Sequence, residues 1–207
     1  MTDLPGLPSN AFAKEDGSDD ADFYAEARLS THIDDEAIAA LTGFYRQALP
    51  VGGVVLDLMS SWVSHLPAGV AYGEVIGHGM NAEELAANPR LTRWFVQDLN
   101  RVPVLPLESA SADAAMICVG VQYLQSPVAV LRDVARVLKP GAPLIISFSN
   151  RCFPTKAVRL WLSLDGEDHA RLVAMYLDRA GFGGVEAHRL RPGGWDSDPL
   201  TVVLGRP

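Results

Sequence analysis

Short, dense apolar runs alternate along this chain with longer stretches whose apolar residues return every three or four positions. VVLDLM at 54–59, AYGEVIG at 71–77, WFVQ at 94–97, ADAAMICVG at 112–120 and PLIISFS at 143–149 are runs of the first kind. Unbroken apolar runs of this length mark strands buried on both faces of a parallel sheet. Between them, SSWVSHL at 60–66, AEELAAN at 82–88, VAVLRDVARVL at 128–138 and the stretch from 157 to 181 read as helical or part-helical. Strand alternating with helix predicts right-handed crossovers and an open sheet covered on both faces.

The two ends depart from this rhythm. Upstream, Ile38, Leu41, Phe44, Tyr45 and Leu49 sit at helical spacing behind Asp34 and Asp35, and Pro50 with Gly52 and Gly53 stops the helix. Downstream, GVEAHRL and PLTVVLG are joined by RPGGWDSD with no helix between them, so they should pair antiparallel at the sheet edge. The expectation is an α/β chain: a three-layer, Rossmann-like open sheet, mostly parallel, with a C-terminal antiparallel hairpin. Residues 1–20, rich in Pro, Gly, Ser and Asp, read as a flexible acidic tail, and residues 21–207 as a single domain with its core at 50–207.

Composition narrows the partners. A chain of 207 residues with 48% hydrophobic and 20% charged positions is long and apolar enough for one sizeable core. Its formal net charge of -8 lacks the basic footprint of a nucleic-acid binder. No basic region followed by an apolar run opens the chain, and no apolar stretch is long enough to span a bilayer. Cys118 and Cys152 alone suit a reducing compartment better than a disulfide framework. The expected setting is the cytoplasm, without membrane or nucleic-acid contact.

Against this background several segments resemble the class I methyltransferases that act largely on small molecules, over about residues 50–205. VARVLKPGAPLIISFS resembles that family's helix, Leu-Lys-Pro-Gly-Gly turn and fifth strand, with Ala142 in place of the second glycine. QDLNRVPVLPLESASADAAMICVGVQYL resembles its third-strand acid, Leu-Pro step and fourth strand, and VVLDL its first strand closing on Asp57. The resemblance implies S-adenosylmethionine as cofactor, bound beyond the carboxyl ends of the strands, and methyl transfer to a small-molecule acceptor. It places Asp57 on the cofactor's amino-acid part, Asp98 on the adenine amino group and the Leu99 amide beside it. Met59, Ser60, Ser61, Gly79, Met80, Asn81 and Val119 complete the implied cofactor contacts. It further implies that the loop after the first strand opens a helix whose positive end binds the methionine carboxylate, and that the helical segment at 21–49 acts as a lid.

Two positions depart from the family. Its Gly-x-Gly-x-Gly loop is replaced by Met59, Ser60, Ser61, Trp62, Val63 and Ser64, and Gly79 stands where an acid usually holds the ribose hydroxyls. Either the serines supply replacement contacts with Trp62 beside the cofactor, or Met59 and Trp62 fill its place. In the second case the chain is a non-catalytic methyltransferase-like domain that binds a ligand or protein in the same crevice.

On the acceptor side the strand ends offer Gln122, Tyr123, Asn150 and Arg151, with Lys156 close behind, a set suited to an anionic or carbonyl-bearing small molecule. His32, Tyr123, Asn150 and Arg151 are the candidate catalytic residues. His32, His65 and His78 fall near the crevice, where a base competes with a packing or capping role; His169 and His188 read as surface. Cys118 reads as core packing. No cluster has metal-ligand spacing.

Overall fold

The computed structural model describes Leu4 and residues 6–207. In chain order the elements are α1 (Asp20–Phe23), α2 (Asp35–Ala48), β1 (Val54–Leu58), β2 (Glu74–Gly79), α3 (Ala82–Ala87), β3 (Arg93–Val96), β4 (Ala114–Cys118), α4 (Pro127–Val137), β5 (Leu144–Phe148), α5 (Arg159–Leu162), α6 (Gly166–Ala180), β6 (Gly183–Arg191) and β7 (Leu200–Arg206). The strands form one sheet in the order β3-β2-β1-β4-β5-β7-β6. β1 to β5 run parallel; β7 pairs antiparallel with both β5 and β6. This is the α/β architecture with a closing hairpin that the apolar pattern predicts.

Alternation within the strands explains the layers. Leu56, Ile117 and Ile146 face α4 and α6, packing with Val130, Leu131, Val134, Val173, Tyr176 and Leu177. Their neighbours Val55, Met116 and Ile145 face the other way, onto Ala37, Leu41 and Tyr45 of α2. Successive strand residues point to opposite faces, so both must be apolar when both faces are covered. α2 therefore serves as a core layer, with Leu41 and Tyr45 fully buried, where the helical segment at 21–49 is expected to be a lid. Its start is set by Asp34, whose carboxylate accepts from the Ala37 N–H at 2.7 Å.

The N-terminal segment also departs from expectation. Among its described residues, Leu4 and Ala11 are buried, and the Phe12 ring centroid lies 6.2 Å from that of Tyr176 on α6. The N–H groups of Arg159 and Leu160 donate to the carbonyls of Ala13 and Ala11. Lys156 has no exposed side-chain surface and reaches Asp16 at 3.0 Å and Asp20 at 3.3 Å. The acidic residues that make this stretch look like a tail are the partners of a buried cation, which holds the segment against the fold; residues 1–3 and Pro5 lie outside the described residues.

Between β1 and β2 the expected helix at 60–66 is absent. Met59 and His65 adopt φ values of 55° and 52°, which no right-handed helix accommodates, and Pro67 follows. Each polar group that would have started the helix bonds elsewhere, and those bonds shape the site.

Candidate functional site

A cavity of about 460 Å³ opens beyond the carboxyl ends of β1, β2 and β4, within the ~300–1,000 Å³ of sites for small organic ligands. Parallel strands leave such a crevice where the order reverses, here on either side of β1. All ten residues expected at the cofactor line it: Asp57, Met59, Ser60, Ser61, Gly79, Met80, Asn81, Asp98, Leu99 and Val119. So do His32, Tyr123, Asn150 and Arg151. Gln122 does not; it is 1% exposed, with its amide donating to the Val119 carbonyl at 2.8 Å. Lys156 is likewise turned away, into the N-terminal carboxylates.

The loop at 59–66 is pinned by side chains where glycines would leave it open. Ser60 Oγ donates to Asp57 at 2.6 Å, and Ser61 Oγ donates to Glu84 of α3 at 2.6 Å. Asn88 donates to the Ser61 carbonyl at 2.8 Å and to Ser64 Oγ at 2.9 Å. The Trp62 indole N–H reaches the Ser30 carbonyl at 3.1 Å. Trp62 thus lines the cavity with its polar edge tied to the segment before α2, and Met59 lies over Gly120, where an added Cβ would meet Met59 Cβ at 2.9 Å. The space beyond remains open.

This rebuilt loop accounts for Gly79. A Cβ there would stand 2.6 Å from the Ser60 carbonyl oxygen, so an acid at the end of β2 is sterically excluded. The polar side chains beside it, His78 and Asn81, which could otherwise reach a ribose hydroxyl, are also committed. His78 Nδ1 accepts from the Met59 N–H at 3.1 Å, which puts its proton on Nε2, 2.8 Å from the Gln97 carbonyl. Burial lowers the His78 pKa to about 4, against the bond to Gln97, so the ring stays neutral. The Asn81 amide donates to the carbonyls of Tyr24 and Ala25, while its oxygen caps α3.

Asp57, 2% exposed on the cavity floor, has its pKa pushed up to about 7 by burial, against the bonds from Ser60 and Ser64. Asp98 accepts the Asn100 N–H on one oxygen at 2.8 Å and has no partner on the other among the described residues. The adjacent Leu99 N–H also has no partner among the described residues. That acceptor and donor, side by side at the cavity wall, fit the exocyclic amine and ring nitrogen of an adenine. Glu84 is a site residue that sequence reading missed: its oxygens take the Arg28 N–H at 2.7 Å and the Ser61 hydroxyl. Three residues after the Asn81 cap it reads as a helix-capping acid, and only the fold brings it to the cavity.

The opposite wall is formed by Tyr123, Asn150, Arg151, Cys152 and Phe153 with Tyr24 and His32. Tyr123 accepts the Phe153 N–H at 2.9 Å, and burial pushes its pKa up to about 12. It is a phenol at any physiological pH. Arg151 is held by Asp198 from the β6–β7 connection at 2.8 Å, yet its side chain is 65% exposed at the mouth. Asn150 makes no side-chain hydrogen bond among the described residues. Cys118 borders the cavity rather than the core alone, its thiol pushed up to about 12 by burial. His169 is half-buried, stacked 3.8 Å from the Trp161 ring, in place of the expected surface position.

Comparison with known proteins meets this geometry at the same place. Residues 63–146 match the family profile of a methyltransferase domain, a span from the β1–β2 loop to β5. That segment is similar to a methyltransferase domain, and the fold is the one solved methyltransferases share. Over 88 residues it is 26% identical to the malonyl-[acyl-carrier protein] O-methyltransferase of Marinomonas sp., a stretch covering 42% of this chain and 32% of that protein. This chain thus matches about a third of the length of that curated relative. An S-adenosylmethionine-dependent methyltransferase of Mesorhizobium loti shares the fold with a TM-score of 0.57 at 18% identity, over 81% of this chain and 98% of that one. The [4+2]-cyclase SpnF shares it with a TM-score of 0.61 at 14% identity, covering 87% and 88% respectively. S-adenosylmethionine is the cofactor that similarity to a methyltransferase domain implies. No helix is long and apolar enough to cross a membrane among the described residues.

Proposed function

We infer that this chain transfers a methyl group from S-adenosylmethionine to a small-molecule acceptor. The supporting observation is the open cavity at the strand ends, where Asp98 Oδ2 and the Leu99 N–H have no partner among the described residues. Asp98 and Leu99 hold the adenine, with Met80 and Val119 lining the same wall. Asp57 faces the positive end of the cofactor. When bound, the cofactor supplies an already activated methyl group on a sulfonium.

What is left for the protein is alignment, since positioning alone supplies a large part of the rate in a displacement of this kind. Tyr123 and Phe153 form the wall against which an acceptor lies flat. The Asn150 amide and the Arg151 guanidinium offer donors at the mouth, suited to a carbonyl or an anionic group on the acceptor. A base is needed only if the acceptor must lose a proton.

One observation favours a second reading. The glycine loop and the helix behind it are gone, and SpnF, a cyclase, has the same fold. In that reading the cavity binds a ligand without methyl transfer.

Thermal melts of the chain with S-adenosylmethionine and S-adenosylhomocysteine separate the two. At a hundredfold excess over Kd, binding stabilises by about 2.7 kcal/mol, a shift of several degrees for a domain of this size. A flat melt at millimolar ligand removes the cofactor from this site and with it the transferase. Asp98→Ala is expected to weaken cofactor binding at least tenfold; unchanged affinity would show that the adenine lies elsewhere.

A further inference from the structure

A cofactor with an amino-acid tail brings a carboxylate as well as a positive charge. Parallel α/β proteins commonly meet such an anion with the N-terminus of the helix after the first strand. Here that helix does not exist, and the amide that opens the loop is committed: Ser60 N–H donates to the His78 carbonyl at 2.7 Å. Of the charged side chains on the cavity wall, Asp20, Asp57, Glu84 and Asp98 are acids, and Arg151 is the cation, drawn to Asp198 at the mouth.

Two imidazoles stand where the helix would have been. His65 lies within the rebuilt loop, with its carbonyl accepting from the Thr42 hydroxyl at 2.9 Å and its backbone held at φ 52°. His32 comes from the segment crossing the cavity before α2, its ring edge-on to Phe153 with centroids 5.5 Å apart. Both line the cavity, and neither ring nitrogen bonds to any group among the described residues. The other cavity histidine, His78, has both nitrogens satisfied. His65 feels the charge of His32, and the charged groups acting on His32 are Glu84 and Arg28. Burial lowers both pKa values, that of His65 to about 4. Each ring is therefore neutral near pH 7 and still carries one N–H to give.

We propose that His32 and His65 together bind the carboxylate of the cofactor's amino-acid tail, in place of the missing helix N-terminus. The geometry that carries this is a pair of unpartnered ring donors from two different segments, converging on the cavity beside the Glu84 carboxylate, which suits the ammonium of the same tail. A neutral N–H pair satisfies a carboxylate by hydrogen bonding, and each imidazole gains basicity once the anion is beside it. The assignment rests on the cofactor reading above.

The test compares two ligands that differ in this tail: S-adenosylhomocysteine, which has it, and 5′-methylthioadenosine, which lacks it. Titration calorimetry of the wild-type chain and of the His32→Ala/His65→Ala double variant gives four affinities. The expected result is a loss of at least tenfold for S-adenosylhomocysteine and an unchanged affinity for 5′-methylthioadenosine. Retained 5′-methylthioadenosine binding also shows that the variant is folded and its adenine wall intact. Equal loss for both ligands, or no loss for S-adenosylhomocysteine, overturns the assignment while leaving the cofactor reading standing. If the wild-type chain binds neither ligand at millimolar concentration, both fall.

Discussion

Asp57→Asn is expected to change how stability depends on pH, in a direction the structure fixes. Burial raises the Asp57 pKa from 3.8 to about 7, outweighing the hydrogen bonds from Ser60 and Ser64. Between those values the folded chain keeps a proton that the unfolded chain has released. The stability this carboxyl contributes is whole below pH 3.8 and is gone once the pH has risen through about 7. A shift of that size corresponds to about 4 kcal/mol, at ~1.4 kcal/mol per unit. Asparagine has no proton to lose, so the variant should lack this part of the fall. Urea denaturation at pH 4.5, 6 and 8 measures it as the difference between variant and wild type, in which other titrating groups cancel. The variant should gain on the wild type by roughly 2 kcal/mol or more from pH 4.5 to 8. Parallel stability profiles would refute a carboxyl that is protonated in the folded state. The same energy bears on function: above pH 7 the site holds an anion that the fold disfavours, and a positively charged ligand beside it relieves that cost. S-adenosylmethionine should accordingly protect the wild type more at pH 8 than at pH 6, and Asp57→Asn should remove this difference.

Two further substitutions test the framework of the site. Gly79→Ala places a Cβ 2.6 Å from the Ser60 carbonyl; overpacking of this kind costs about 1–3 kcal/mol and should lower Tm by several degrees, whereas an unchanged melt would mean that the loop is not held against β2. Lys156→Met leaves Asp20 buried with one cation fewer, at a cost of about 3 kcal/mol; it should also make the chain before α1 more open to proteolysis, and equal digestion of variant and wild type would show that the clamp does not hold it.

The legible and illegible parts of this chain divide by the range of the forces involved. The sheet was readable because each central strand is buried on both faces, so neither face of VVLDL, AAMIC or LIISF can carry many polar residues. The start of α2 was readable because Asp34 caps a residue three positions away, whereas the caps of α3 and α6, Asn81 and Asp165, were not picked out. The crevice followed from topology, which is why residues scattered from Asp57 to Arg151 line one cavity.

The loop after β1 was not readable, and the reason is physical. Ser60, Ser61 and Ser64 in sequence look like a helix start, because a serine hydroxyl near a helix terminus takes up free backbone groups. In the fold, nearby carboxylates and amides compete for them and win: Asp57 takes Ser60, Glu84 takes Ser61 and Asn88 meets Ser64. Glu84 and Asn88 lie more than twenty positions along the chain, where no local reading of the serines reaches them. Met59, His65 and Val119, which line the cavity, hold left-handed backbone at a cost of about 1–3 kcal/mol each. The loop is fixed through side chains and strain, where a glycine-rich one would be free to move. That arrangement should trade tolerance for rigidity: a glycine loop adjusts its backbone to the ligand, whereas this loop presents one shape, and any single break among its serine, carboxylate and amide contacts should loosen all of it.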